Sequence, residues 1–189
     1  MLVLASASPR RRQLLAWLGV PYDVLPAEVD EAPLPGEAAG DLVLRLARAK
    51  AAAVAARRPA DWVLAADTIV EQGGVMLGKP ADAGDAARMV GQLAGSEHRV
   101  ATGFALLRPG GGVHAAEVVL TRVRFRRLDA PAIERYVTSR EGDDKAGAYA
   151  VQGLGAGLIE SIDGSFTNVI GLPLVEVGRA LEEAGLLAR

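Results

Sequence analysis

The residues best suited to chemistry lie in one short stretch near the start of the sequence. Ser6 and Ser8 are followed by three consecutive arginines, Arg10, Arg11 and Arg12. Ser8 before Pro9 is typical of a helix N-cap, and a helix start that offers free N–H groups, hydroxyls and positive charge binds phosphate well. Ser8 would cap a helix in any protein, but adjacent arginines repel one another unless an anion is expected. We therefore predict a phosphate-binding turn.

Two carboxylates and two lysines extend this chemistry. Asp67 directly follows the apolar run 62–66, so we expect it at the carboxyl end of a strand, where a rigid carboxylate can bind a metal ion. Glu31 lies in an acidic, proline-containing loop, Lys50 lies on a predicted helix, and Lys79 lies in a turn. Each of these charged residues, taken alone, is typical of a solvated surface.

The composition excludes several kinds of site. The chain has no cysteine, which removes disulfides, thiolate nucleophiles and iron–sulfur ligation. His98 and His114 are the only histidines, and both are interpreted as surface residues. With 21 Lys plus Arg against 23 Asp plus Glu, the net charge of -2 argues against binding a nucleic acid polymer. A small ligand is therefore the expected partner. No apolar run approaches the ~18 residues of a membrane span, and together with the absence of cysteine this leads us to expect a cytoplasmic protein.

Hydrophobic periodicity and turn signals predict alternating strands and helices, and so a single α/β domain over residues 1–189, with two lobes around one cleft as the alternative. Trp17 and Trp62 are expected in the core. The glycines at 153, 155 and 157 do not have dinucleotide-binding spacing and are read as part of a strand. The predicted helices cover residues 9–18, 41–57, 82–93, 129–139 and 174–184, and the predicted strands cover 2–5, 22–25, 62–66, a hairpin through 72–74, a long hairpin turning at 109–112, and 153–162.

Six segments, taken in order, strongly resemble the Maf family of nucleotide pyrophosphatases. The resemblance spans essentially the whole chain, and six motifs at compatible spacing are far more specific than any one of them. The segments are ASASPRR at 5–11, ADTIV at 66–70, LGKP at 77–80, DKAGAY at 144–149, VQG at 151–153 and NVIGLPL at 168–174.

The resemblance implies an elongated mixed sheet with flanking helices and a central cleft, similar to the inosine triphosphate pyrophosphatases. It also implies Mg²⁺ or Mn²⁺ as cofactor, a homodimer, and release of nucleoside monophosphate and pyrophosphate from a nucleoside triphosphate. Asp67 matches the catalytic acid, and Arg10, Thr68 and Gln152 match positions associated with substrate choice. The phosphate-binding positions implied or proposed are Ser6, Ser8, Arg11, Lys50 and Lys79, and the metal ligands are Asp67 and Glu31.

Within the family, residues 148–153 resemble the branch that acts on dTTP and UTP. The neutral amide of Gln152 can both donate and accept at the O4 and N3 edge of a pyrimidine, whereas a glutamate would suit a cationic methylated purine. Two alternatives stay open from the sequence. One is a 7-methyl-GTP pyrophosphatase, and the other is a nucleotide-binding regulator of cell division without turnover.

Overall fold

The structure is a computed structural model that describes residues 1–188. Its strands are β1 Leu2–Leu4, β2 Tyr22–Val24, β3 Trp62–Gln72, β4 Val75–Leu77, β5 Glu97–Leu107, β6 Val113–Phe125 and β7 Ile159–Asp163. Its α-helices are α1 Pro9–Trp17, α2 Ala39–Arg57, α3 Ala83–Leu93, α4 Ala130–Thr138, α5 Phe166–Ile170 and α6 Leu174–Glu183. Two 3₁₀ turns lie at Ala146–Ala148 and Gly153–Leu158.

The strands form one mixed sheet, which confirms the predicted α/β class. The strand order is β2-β1-β3-β5-β6-β7, with β4 paired to β3 beside that path. β1 is parallel to both β2 and β3, whereas β3 with β4 and β6 with β7 are antiparallel. Within residues 1–188, no helix combines the length and the apolar character needed to cross a membrane.

The chain divides into two compact units, and β3, β5 and β6 contribute residues to both. The first unit contains residues 1–68, 102–119 and the chain from Gly171 onward. Its core includes buried Val3, Val54 and Val63. A Cβ built on Gly103 of β5 would lie 2.6 Å from the backbone of Val43 in α2. A glycine is therefore required where this strand and helix backbone approach each other.

The second unit contains residues 69–101 and 120–170, and an aromatic cluster lies at its core. His98 belongs to this cluster, with 2% of its surface exposed, so its interpretation as a surface residue is wrong. Its ring packs edge-on against Phe125 and Tyr149, and its Nε2 lies 2.8 Å from the Tyr149 hydroxyl. The reason is its position in β5, where the alternation of the strand directs this side chain inward.

Two further expectations are wrong. Residues 153–158 form a 3₁₀ turn, so the predicted strand is limited to Ile159–Asp163. Trp17 is 56% exposed at the end of α1, because Leu14 and Leu15 are the residues that this helix buries. Trp62 is half-buried and packs edge-on against His114, with 5.2 Å between ring centroids.

The N-caps predicted at Ser8 and Asp129 are confirmed, and the structure adds a third at Asp82, where a helix was expected to begin. The Ser8 side chain accepts from the N–H of Arg11, and the Asp82 side chain accepts from Asp85 in α3. The Asp129 side chain accepts from Ala132 in α4. The hairpin through residues 72–74 is also confirmed, since Gln72 pairs with Val75.

Candidate functional site

The turn between β1 and α1 holds its two serine hydroxyls in fixed positions. Ser6 is buried, and its Oγ accepts a hydrogen bond from the N–H of Ser8 at 3.2 Å. Ser8 Oγ accepts from the N–H of Arg11 at 3.4 Å. The hydroxyls thus satisfy part of the helix start, and the positive end of the α1 dipole lies at the same turn.

The guanidinium of Arg11 joins three segments of the first unit. Nε donates to the carbonyl of Gly171 at 2.8 Å, and Nη2 donates to Thr68 Oγ1 at 3.0 Å. Nη1 lies 3.5 Å from Ser6 Oγ. Removal from water lowers the pKa of Arg11, while the negative charge of Asp67 opposes this effect. Because protein atoms contact three of its nitrogens, Arg11 is held rigidly beside the Asp67-Thr68 pair.

Lys50 connects two carboxylates that are distant in sequence. Its Nζ lies 2.6 Å from Asp67 Oδ1 and 2.5 Å from Glu31 Oε1. The side chains of Lys50 and Asp67 are 10% and 14% exposed, whereas that of Glu31 is 56% exposed. The cluster is therefore nearly enclosed around Lys50 and Asp67 and open to solvent at Glu31.

Asp67 does not terminate its strand, contrary to expectation. β3 continues through Thr68, Ile69 and Val70 to Gln72, so Asp67 lies inside an eleven-residue strand. The run of β-branched residues after Asp67 favours the extended conformation, which explains why the strand does not stop at the acid. Thr68 Oγ1 also lies 2.9 Å from Thr102 Oγ1 of β5, so the side chain next to Asp67 contacts both Arg11 and Thr102.

The carboxylates of Asp67 and Glu31 fit a hard divalent cation. Both already approach a single positive group, the Lys50 ammonium, so their oxygens converge on a small volume. Within the part of the chain described, no group of three or more His, Asp or Glu side chains is arranged to hold a metal ion. Mg²⁺ needs no such group, since it is commonly held by one or two carboxylates together with water and substrate phosphates.

Arg10 acts electrostatically on its sequence neighbour Arg11. It is half-buried in the first turn of α1, and its positive charge contributes to lowering the pKa of Arg11, after desolvation. The predicted site residues that the first unit contains are Ser6, Ser8, Arg10, Arg11, Glu31, Lys50, Asp67 and Thr68.

Lys79 and Gln152 belong to the second unit. Lys79 is exposed and follows Gly78, whose carbonyl accepts from the N–H of Gly147 at 3.0 Å. Gln152 is half-buried at the N-terminus of the Gly153–Leu158 turn.

Sequence reasoning missed two groups that support the first-unit cluster. One is the Thr102 hydroxyl, and the other is the Gly171 carbonyl that accepts from Arg11. Thr102 is the one threonine in the buried part of β5 that follows Arg99, and a buried hydroxyl in such a segment usually has a hydrogen-bond partner. Gly171 lies inside the quoted motif at 168–174, but its contribution comes from its backbone, which the residue type does not reveal.

The fold and the cluster together define a class of protein. It has a mixed α/β sheet with arginine, lysine and hydroxyl groups placed around an acid, and this arrangement is suited to phosphate chemistry. More specifically, the chain belongs to the Maf family. The family model described as Maf-like protein matches residues 1–184.

Curated relatives match nearly the full chain. A protein of Anaeromyxobacter dehalogenans (strain 2CP-1 / ATCC BAA-258), named dTTP/UTP pyrophosphatase, is 52% identical over 186 residues, covering 97% of this chain and 94% of its own length. Proteins with the same name from Myxococcus xanthus (strain DK1622) and Geobacter metallireducens (strain ATCC 53774 / DSM 7210 / GS-15) are 52% and 48% identical. Each covers 98% of this chain, with 93% and 97% of their own lengths matched.

Proposed function

We propose that this protein is a nucleoside triphosphate pyrophosphatase that hydrolyses dTTP and UTP to the nucleoside monophosphate and pyrophosphate. The names of relatives at about 50% identity over nearly the full length support this substrate choice. The observation that carries the chemistry is the pair of carboxylates, Asp67 and Glu31, held around the Lys50 ammonium.

The first unit supplies the groups that would bind the triphosphate. The α1 N-terminus and the hydroxyls of Ser6 and Ser8 offer hydrogen bonds and a favourable dipole for phosphate oxygens. Arg10 provides positive charge, and Arg11 contributes its charge from a fixed position. Lys79 of the second unit is proposed as a further phosphate contact. Neutralising a triphosphate in this way contributes much of the acceleration in phosphoryl transfer.

Asp67 is proposed as the acid required for water activation. The water gives up a proton to solvent, directly or by way of the Asp67 carboxylate, and its oxygen forms a bond to the α phosphorus. The bond from that phosphorus to the bridging oxygen breaks, and pyrophosphate leaves with that oxygen. Asp67 and Glu31 are the residues that would hold Mg²⁺ or Mn²⁺, which supplies charge neutralisation on the phosphates. Lys50 keeps the Asp67 carboxylate in one orientation through its 2.6 Å contact.

Base selection is proposed for Gln152, with Arg10 and Thr68 as further determinants. An amide that both donates and accepts matches the O4 and N3 edge of thymine and uracil. The thymine methyl contributes only about 1 kcal/mol in an apolar pocket, so acceptance of both bases is expected. We also propose that the enzyme acts in the cytoplasm and that it is a homodimer. Light scattering on the purified protein would test the homodimer.

The test is pyrophosphate release from dTTP, UTP, CTP, ATP, GTP and 7-methyl-GTP with Mg²⁺, Mn²⁺ or Co²⁺, and again with EDTA. The proposal expects release from dTTP and UTP that needs the cation. Preferential hydrolysis of 7-methyl-GTP would instead indicate the 7-methyl-GTP pyrophosphatase branch of the family. Thermal stabilisation by dTTP without any product would instead support a regulator that binds nucleotide without turnover.

A further inference from the structure

The turn that follows Gln152 is held by a carboxylate from a distant position. Glu141 Oε2 accepts a hydrogen bond from the N–H of Leu154 at 2.8 Å, and Oε1 accepts from the N–H of Gly155 at 3.1 Å. These N–H groups lie at the start of the 3₁₀ turn Gly153–Leu158, where no carbonyl within the turn is available to them. Glu141 therefore caps this turn from outside its own segment.

This arrangement affects which hydrogen bonds the Gln152 side chain makes. Gln152 occupies the N-cap position of the turn, yet its side chain makes no capping hydrogen bond. An N-cap side chain is usually the group that accepts from these N–H donors. Because Glu141 accepts from these N–H groups, the side-chain amide of Gln152 is not required to cap the 3₁₀ turn.

The backbone at Gly153 shows how closely the carboxylate is seated. Gly153 has a φ of 67°, and a Cβ built on it would lie 2.8 Å from Glu141 Oε2 and 2.9 Å from Oε1. A side chain at this position would therefore displace the carboxylate as well as strain the backbone.

The backbone on the N-terminal side of Gln152 is held by a separate hydrogen bond. The buried hydroxyl of Tyr136 accepts from the N–H of Ala150 at 2.9 Å. Gly155 packs tightly here, because a Cβ built on it would lie 2.0 Å from the Ala150 carbonyl oxygen and 3.1 Å from the Tyr136 hydroxyl. The Lys145 ammonium donates to the backbone carbonyl of Glu141, which fixes the segment that supplies the carboxylate.

We propose that Glu141 is a positioning residue that sets base selectivity by fixing the Gln152 turn, with Tyr136 acting from the opposite side. The inference rests on the proposed function, since it requires Gln152 to contact the base. Glu141 touches neither phosphate nor base in this account. Its loss therefore changes how well substrates are discriminated and leaves the hydrolytic step largely unaffected.

The principal variant is Glu141→Gln, which keeps the size of the side chain but directs an amide N–H₂ at one of the two backbone N–H groups. Glu134→Gln on the exposed surface of α4 is the matched control. We expect the ratio of kcat/KM for dTTP over CTP to fall roughly tenfold in Glu141→Gln, through a higher KM for dTTP with kcat nearly unchanged. Glu134→Gln should keep the wild-type ratio.

A double-mutant cycle separates positioning from general damage. Gln152→Ala should itself flatten the dTTP over CTP ratio, and adding Glu141→Gln to it should change that ratio little further, because the two residues act through one contact. Tyr136→Phe should shift selectivity in the same direction and provides a second test if Glu141→Gln folds poorly. Three results would overturn the inference. One is unchanged selectivity in both Glu141→Gln and Tyr136→Phe, and another is an additive effect of Glu141→Gln and Gln152→Ala on the ratio. The third is an unchanged ratio in Gln152→Ala.

Failure of the proposed function gives a different result. In that case the wild-type protein would release no pyrophosphate from any triphosphate. Thermal shift with a non-hydrolysable dTTP analogue and its cytidine counterpart would then still report base discrimination. Equal discrimination by wild type and Glu141→Gln in that assay would count against the role of Glu141.

Discussion

Lys50 Nζ lies 2.6 Å from Asp67 Oδ1 while it also contacts Glu31 Oε1 at 2.5 Å, so one ammonium group holds two carboxylates together. Without a cation between them, the two negative charges would repel each other. The Lys50 ammonium supplies that positive charge at a largely enclosed position.

Replacing Lys50 with methionine removes the ammonium and leaves the carboxylates opposed. We expect the free energy of unfolding to fall by about 1–3 kcal/mol, because an uncompensated charge remains at a largely enclosed position. Mg²⁺ should recover more stability in this variant than in the wild type, since it substitutes for the missing charge. Urea unfolding with and without Mg²⁺ measures both effects. Arg12→Met, at an exposed position on the same unit, should show neither.

The contacts of Arg11 predict that lysine cannot replace it. A lysine has a single nitrogen in place of the three that contact Gly171, Thr68 and Ser6. Arg11→Lys should therefore lower the free energy of unfolding by about 1–3 kcal/mol, as buried acceptors lose their donors. Its exposed neighbour provides the comparison, because Arg12→Lys should be nearly neutral. Equal effects of the two substitutions in urea unfolding would contradict a rigid role for Arg11.

His98 predicts loss of stability in mild acid. Burial lowers the pKa of His98 to about 4 from an ordinary value of 6.5, so the folded protein binds this proton less readily than the unfolded chain. The stabilisation is fully present above pH 6.5 and is lost as the pH falls towards 4. Between pH 7 and pH 5 the His98 contribution should fall by about 2 kcal/mol. Urea unfolding of wild type and His98→Phe at both pH values measures it, and equal pH dependence in the two proteins would refute the prediction.

The close backbone approach at Gly103 predicts that any side chain at this position destabilises the fold. A Cβ there would lie 2.6 Å from the backbone of Val43, and neither backbone can move without disturbing β5 or α2. Gly103→Ala should destabilise the fold by about 3 kcal/mol or more, as overpacking against a fixed backbone does. Gly157→Ala is the matched control, because a Cβ at Gly157 has no atom within 4 Å. Thermal unfolding of the two variants distinguishes them, and similar melting temperatures would show that the close approach is tolerated.

Much of the secondary structure was predictable because local signals agreed with the final packing. Ser8-Pro9, Asp82 and Asp129 each mark a helix start, and the structure has a side-chain cap at all three positions. Membership of the Maf family was also predictable, and the family match over residues 1–184 confirms it. Local chemistry specifies caps and turns directly, which is why these predictions did not depend on distant contacts.

Two of the errors arose where distant residues determine the outcome. His98 is buried because Phe125 and Tyr149 surround it, which its neighbours Glu97 and Arg99 do not suggest. The segment from Gly153 forms a 3₁₀ turn because Glu141 caps it and Gly155 packs against Ala150. The roles assigned to the individual site residues stay predictions until variants are assayed.

The most direct test is hydrolysis of dTTP in ¹⁸O-labelled water with Mg²⁺, followed by mass spectrometry of the products. Attack at the α phosphorus predicts one labelled oxygen in dTMP, unlabelled pyrophosphate in equal amount, and loss of turnover by orders of magnitude in Asp67→Asn. Asp23→Asn, an exposed residue of the same unit, should behave as wild type. Label in pyrophosphate, release of dTDP with orthophosphate, or wild-type turnover by Asp67→Asn would contradict the account.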